Sequence, residues 1–359
     1  MGDRVLMKGN EAIGEAAIVA GCRCFFGYPI TPQNELPEYM ARRLPEVGGV
    51  FVQAESEVAA INMVYGAAAA GARAMTSSSS PGVSLKQEGI SYLSACELPC
   101  VVVNMVRGGP GLGGIQPAQS DYFQATRGGG HGDYRTLVYG AASVQELVDL
   151  TIEAFDAADR YRNPVLLLAD GILGQMMEPA VFPDSPPLPP PAKPWAVTGA
   201  SGRPRNLINS LILQPDMLEA HNWRLMEKFR QIEEREVRWE EDQLDDAELV
   251  VVAYGTTARV VRAALGAARR EGLKVGLLRP ITLWPFPAQP LRRLKRARAV
   301  LTVEMSTGQM VEDVRLAVEG RLPVQFYGRT GGVVPTPREV LARIKEIAGE
   351  LAQEAGGRK

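Results

Sequence analysis

Continuous apolar runs of five to eight residues recur along the chain, and most end in small, polar or charged residues. In the first half they are CRCFFGY (22–28), GVFVQ (49–53), RAMTS (73–77), PCVVVNMV (99–106) and PVLLLAD (164–170). In the second half they are ELVVVAYG (248–255), LKVGLLRP (273–280), RAVLTVE (298–304) and LPVQFYG (322–328). Alanine-rich helical stretches lie between them, such as SEVAAINMVYGAAAAGA at 56–72. Unbroken apolar strands alternating with helices predict parallel sheets covered on both faces. The expected fold class is therefore α/β, as two domains of doubly wound type.

One break in composition separates them. Residues 179–194, PAVFPDSPPLPPPAKP, hold 8 of the 26 prolines. Proline fixes φ and removes a donor, so this stretch predicts an extended connector. A charged helix is expected from about Met217 to Glu241, with Leu218, Leu225, Phe229 and Ile232 forming an apolar stripe. The expected organisation is a first domain at 1–178, a connector and bridging helix at 179–246, a second domain at 247–345, and a tail at 346–359 that starts helical and then frays.

Charge and cysteine content narrow the function classes. A net charge of -2, from 39 basic and 41 acidic residues, disfavours nucleic-acid binding through a basic surface. No run of about 18 apolar residues occurs, so no membrane span is expected. The first residues, MGDRVLMKGNEAIGEAAIVAG, carry charges where a secretory leader needs an apolar stretch, and read as the start of the folded domain. Cys22, Cys24, Cys96 and Cys100 are too sparse for a disulfide scaffold and lack the spacing of metal-binding pairs. They read as buried thiols in a reducing cytoplasm. With only His131 and His221 present, no His-rich metal centre is possible, and no metal-binding residues are assigned in this chain.

Ligands in open parallel sheets bind beyond the carboxyl ends of the strands. Those ends carry Tyr28-Pro29-Ile30-Thr31-Pro32, Ala54-Glu55-Ser56-Glu57, Ser77 to Gly82, Arg107-Gly108-Gly109-Pro110-Gly111, and Asp170-Gly171. The two prolines around Ile30-Thr31 make a turn and also aim the Thr31 hydroxyl. Glu57 opens a helix capped by Ser56, which alone could be a favourable dipole contact. The helix behind it is mostly apolar, so a carboxylate at its mouth faces a protected cavity and needs a partner. Glu55 competes for that role, since residues two apart in an extended segment share a face. The serines from Ser77 onward are either a capping loop or an anion-friendly rim. Arg107, at the end of an apolar run, pairs with a carboxylate or grips an anionic ligand. Residues 109–114 formally satisfy G-x-G-x-x-G, but the sequence that follows is polar and ends in more glycine, which argues against a dinucleotide site. His131 lies in this glycine-rich stretch as a turn residue, with general-acid work as the lesser alternative.

Taken together, Tyr28 to Pro32, Glu55-Ser56-Glu57 before an Ala/Gly helix, and Arg107 resemble the alpha chain of 2-oxoacid:ferredoxin oxidoreductases. The stretch Leu278-Arg279-Pro280-Ile281-Thr282-Leu283-Trp284-Pro285-Phe286-Pro287 resembles that chain's second domain, itself similar to the transketolase C-terminal domain. Val303 to Met310 resembles another part of it. The resemblance implies a pyrimidine-type thiamine-diphosphate-binding domain followed by a transketolase C-terminal-like domain. It implies oxidative decarboxylation of a 2-oxoacid, with coenzyme A as acyl acceptor and ferredoxin as electron acceptor. The cofactor would be shared with a beta chain holding the diphosphate and Mg2+, and gamma and ferredoxin-like delta chains would complete the complex. Iron–sulfur clusters would sit on those partners, and this chain alone would be inactive.

By position in the motif, Glu57 matches the glutamate that bonds the pyrimidine N1′ and favours the imino form of the cofactor. Thr31 and Arg107 match groups that hold the keto-acid end of the substrate, and Tyr28 and Pro29 match cofactor contacts. In chains of the 2-oxoglutarate type a GPSTG-like segment is expected after Arg107. Here Gly108 to Pro117 reads GGPGLGGIQP, which looks more like the branched-chain type acting on 3-methyl-2-oxobutanoate. The alternatives are a 2-oxoglutarate:ferredoxin oxidoreductase (2-oxoglutarate synthase) alpha subunit, a scaffold subunit with a decayed thiamine site, and a transketolase-like transferase without electron transfer.

Overall fold

The protein is described by a computed structural model over residues 4–183 and 190–356. Residues 184–189 of the proline-rich run and the last three of the tail lie outside the described residues.

A seven-stranded sheet forms the first half. Its order is Thr282–Trp284, Leu137–Gly140, Pro164–Asp170, Cys100–Val106, Ala74–Ser78, Cys24–Gly27, Val50–Gln53. All neighbours are parallel except the first pair. Cys100–Val106 and Pro164–Asp170 are buried along their whole length, as continuous apolar strands between two helical layers must be. A five-stranded sheet in the order Val324–Gly328, Ala299–Glu304, Leu249–Val252, Val275–Pro280, Trp239–Asp242 forms the second half. Its last pair is antiparallel and the rest are parallel. Val5–Lys8 and Met177–Ala180 make a separate antiparallel pair. Among the described residues no helix is long and apolar enough to cross a membrane.

Two departures from the expected elements have identifiable causes. The helix expected to reach Glu241 runs Pro215–Arg235, and Trp239–Asp242 is instead an edge strand. There Glu240 bonds Arg279 at 2.7 Å and Arg262 at 2.7 Å, so ion pairing across the sheet overrides the helix propensity of a glutamate-rich stretch. Leu225, Phe229 and Ile232 are the buried stripe of that helix, whereas Leu218 is exposed. The helix at Pro337–Gly356 also begins well before the tail boundary expected at 346.

The second departure is that the two halves share structure. Thr282–Trp284 leaves the second half to become an edge of the first sheet. Arg279, 2% exposed, makes two bonds to Glu146 at 2.9 and 2.6 Å. Tyr122 donates to Asp313 at 2.6 Å, and Arg127 joins the same carboxylate. Buried Gln119 is the centre of this seam. Its amide donates to the Tyr254 carbonyl at 2.9 Å, and its Oε1 accepts from the Met305 N–H at 2.9 Å and the Thr257 hydroxyl at 3.2 Å. Gln119→Leu should therefore strand the Met305 N–H in the interior. The expected loss is about 2 kcal/mol of unfolding free energy, read from denaturant melts of the full chain. A change below about 0.5 kcal/mol would show that the seam does not depend on it.

Candidate active site

The five strand ends singled out in the sequence meet at one edge of the seven-stranded sheet. The turn after Cys24–Gly27 is pinned from several sides. The Ile30 N–H donates to Asn34 at 2.8 Å, and the Pro32 carbonyl accepts from Asn10 and Gln175, each at 2.9 Å. Gln33 is buried, donates to the Tyr28 carbonyl at 3.4 Å and accepts from the Ser77 hydroxyl at 2.5 Å. Tyr28, Pro29 and Thr31 are left on the exposed side of this rigid turn. Gly171, just after Asp170, closes the edge: a Cβ there would lie 3.0 Å from Pro32. Asp170 itself caps the next short helix, accepting from Ile172 and Leu173, and its burial pushes its carboxyl up.

Arg107 ties two of these ends together. Its guanidinium donates to the Thr31 carbonyl at 3.0 Å and to the Leu112 carbonyl at 3.3 Å, while its Nε is buried without a partner. Its own backbone is fixed by the Ser80 hydroxyl, which lies 3.0 Å from the Arg107 nitrogen and 3.3 Å from its oxygen. Ser80 adopts φ 26°, a strained value for a residue with a Cβ. Asn104 holds it there by accepting from the Ser80 N–H at 3.0 Å, and Asn104 donates to Asp121 at 2.9 Å. Burial raises the Asp121 carboxyl.

Ser56 caps the helix Glu57–Ala69 by accepting from the Ala59 N–H at 3.2 Å. This places Glu57 in the first helical turn, where the dipole favours a carboxylate. The structure separates the two candidate glutamates: Glu55 is exposed, and Glu57 is 7% exposed. The Glu57 side chain lies over Gly82, in the first turn of the helix Pro81–Ala95. A Cβ at Gly82 would fall 2.6 Å from Glu57 Oε1 and 2.1 Å from Ser78 Oγ, so only glycine admits both groups. No hydrogen bond to the Glu57 carboxylate exists among the described residues. A nearly buried acceptor in that condition has a hydrogen-bond position left open. Val58, Met63 and Leu85 leave an exposed apolar surface on the same two helices.

Other readings change. Ser77 to Ser80 are buried and serve the interior, with the Ser78 and Ser79 hydroxyls unpartnered, so they form no open anion rim. The glycine-rich stretch is a tight loop: Gly113 sits at φ 56°, and a Cβ there would collide with the Gly108 oxygen at 1.9 Å. His131 faces Ser91 at 3.4 Å and the edge of Tyr92, well along the helix from Gly82. Cys22, Cys96 and Cys100 are buried and Cys24 is half-buried. Sequence reasoning missed Asn104, Ser80 and Gln33 as supports. It also missed Lys86, a wholly buried lysine between Gly82 and Gly89 on the helix that faces Glu57.

The family described as pyruvate flavodoxin/ferredoxin oxidoreductase, thiamine-diphosphate-binding, matches residues 15–236, and pyruvate:ferredoxin oxidoreductase core domain II matches residues 247–340. The ketoisovalerate oxidoreductase subunit VorB of Methanothermobacter thermautotrophicus is 54% identical over 346 residues, covering 96% of this chain and 98% of that relative. The 2-oxoglutarate synthase subunit KorA of Methanocaldococcus jannaschii is 38% identical, over 93% of this chain and 97% of its own. The 2-oxoglutarate:ferredoxin oxidoreductase from Magnetococcus marinus, solved with 2-oxoglutarate, coenzyme A and succinyl-CoA bound, superposes with a TM-score of 0.87 at 29% identity. That match covers 97% of this chain and 66% of the other.

Proposed function

This chain belongs to the pyruvate flavodoxin/ferredoxin oxidoreductase family, and on that premise we propose that it supplies the pyrimidine side of a shared thiamine diphosphate site in an enzyme acting on 3-methyl-2-oxobutanoate. Coenzyme A is the acyl acceptor and ferredoxin the electron acceptor. The observation that carries the reading is the Glu57 carboxylate, nearly buried, unbonded within the chain, and seated over a glycine that leaves it room. That unmet acceptor fits an aminopyrimidine, whose ring nitrogen N1′ offers the missing hydrogen bond once protonated. Bound thiamine diphosphate supplies the nucleophilic carbon that adds to the keto group of a 2-oxoacid.

The residues of this chain do the rest of the work on this side. Glu57 holds a proton at N1′ and so favours the imino form of the exocyclic 4′-nitrogen across the ring. Tyr28 and Pro29 form a fixed wall beside the ring. Arg107, half-buried with its terminal nitrogens exposed, binds the substrate carboxylate, and the Thr31 hydroxyl on the adjoining turn orients the keto-acid end. The exposed apolar side chains around Glu57 exclude water once a beta chain covers them. That beta chain carries the diphosphate and Mg2+, iron–sulfur clusters reside on partner chains, and gamma and ferredoxin-like delta chains complete the complex. The sparse, unclustered cysteines of this chain support that division.

A branched aliphatic substrate is favoured by the loop after Arg107. Leu112, whose carbonyl Arg107 grips, is 86% exposed, and Ile115 is 57% exposed. A second substrate carboxylate, as in 2-oxoglutarate, gains nothing from those side chains. The test is viologen reduction by the chain co-purified with its partner subunits. Reduction should require coenzyme A, and kcat/KM for 3-methyl-2-oxobutanoate should exceed that for 2-oxoglutarate by at least about tenfold, or ~1.4 kcal/mol. The reverse preference would assign the chain to the 2-oxoglutarate type. Inactivity with both acids in a cofactor-loaded complex would leave a scaffold role.

A further inference from the structure

The helix Pro81–Ala95 meets the helix Glu57–Ala69 along a stripe of its own residues. A Cβ at Gly82 would touch Glu57, and one at Gly89 would touch Ile61 at 2.6 Å. Lys86 lies between those two contact points, four residues after the first and three before the second, so it shares the face turned to the Glu57 helix. It is 0% exposed, and its Nζ has no hydrogen-bond partner. Among the described residues Glu57 is the one charge that acts on it. Its helix neighbour Glu88 points outward to Tyr92. An unpaired ammonium is not buried without an electrostatic reason.

We propose that Lys86 is a positioning residue, the buried counter-ion of Glu57, and that it gives up its proton when the carboxylate is neutralised by the aminopyrimidine. The inference rests on the assignment of Glu57 as the N1′ contact. A proton that settles between Glu57 and N1′ is offset in part by release from Nζ to solvent, so the site changes its net charge less than the carboxylate alone would. Burial holds the Lys86 ammonium down at about 8, with Glu57 pulling the other way. Near neutral pH the side chain is therefore charged. Once Glu57 is neutralised, only the burial penalty remains, and the proton affinity of Nζ falls further.

The sign and the pH window follow. Well above pH 8 Lys86 has lost its proton in both states, and in sufficiently acid solution it keeps it in both. Between these limits binding releases a proton. The experiment is calorimetric titration of thiamine diphosphate with Mg2+ into the cofactor-stripped complex, in buffers of different ionisation enthalpy, from pH 6 to 9. At pH 7.5 the native complex should take up about half a proton fewer per site than Lys86→Met, which keeps the length and bulk of the stem. The difference should shrink toward pH 6 and pH 9. Equal proton counts across the range would overturn the proposal, because a lysine that only fills space leaves the count unchanged.

If Lys86→Met does not assemble, Glu57→Gln provides the second arm, and there the dip near pH 7.5 should vanish. A dip that survives in Glu57→Gln overturns the pairing. The two assignments fail differently. Native-like turnover in Glu57→Gln removes the N1′ contact itself. An inactive Glu57→Gln together with an unchanged proton count in Lys86→Met removes the role of Lys86 alone.

Discussion

Glu57→Gln should reduce turnover of the assembled complex by about 10³-fold or more while leaving subunit assembly intact. The substitution keeps the shape that fits over Gly82 and removes the negative charge that stabilises a proton at N1′. A neutral amide can still meet a ring nitrogen, so cofactor affinity should fall much less than the rate. Viologen reduction with saturating 2-oxoacid and coenzyme A measures the first quantity, and gel filtration of the co-purified subunits measures assembly. A fall smaller than about tenfold would remove Glu57 from the chemistry. Glu55→Gln is the matched control, since Glu55 is exposed on the other side of the Ser56 cap, and it should retain near-native turnover.

Arg107→Ala should raise KM for the 2-oxoacid by about 10- to 100-fold, the equivalent of ~1.4 to 3 kcal/mol, with a smaller change in kcat. A carboxylate grip is present in the bound substrate and persists through the reaction, so its loss acts on binding more than on rate. The guanidinium also anchors the Thr31 and Leu112 carbonyls. Arg107→Lys should therefore fall between native and alanine, because one ammonium cannot reproduce both carbonyl contacts and still meet the ligand. Steady-state kinetics over a wide substrate range separates the two parameters. An unchanged KM in Arg107→Ala would show that the substrate carboxylate is held elsewhere.

The long parallel strands were readable in the sequence because strands buried on both faces are written as unbroken apolar runs. Cys100–Val106 and Pro164–Asp170 show this most plainly. The short edge strands were not readable. Trp239–Asp242 carries three acidic residues, and Met177–Ala180 contains a proline, so neither offers a periodic signal. Thr282–Trp284 pairs with a strand 140 residues or so away in sequence, a long-range choice that local pattern does not encode.

The candidate residues stand out in the sequence where a residue type conflicts with its setting, as for Arg107 after an apolar run and Glu57 before an apolar helix. The choice between Glu55 and Glu57 depended on where Val50–Gln53 stops and Ser56 caps, a matter of one or two residues. The supports were harder. Asn104 lies inside an apolar strand and Lys86 between two glycines at helical spacing, and only the packed structure shows Asn104 bonding Ser80 and Asp121 and Lys86 buried on the helix that meets Glu57.

The most direct test is a structure of this chain assembled with its partner subunits and thiamine diphosphate. A Glu57 carboxylate oxygen should lie about 2.6 to 3.0 Å from the pyrimidine N1′, with the ring seated at the mouth of the helix Glu57–Ala69. A ring nitrogen more than about 4 Å from Glu57, or bonded instead to Glu55 or to a residue of another chain, would contradict the account.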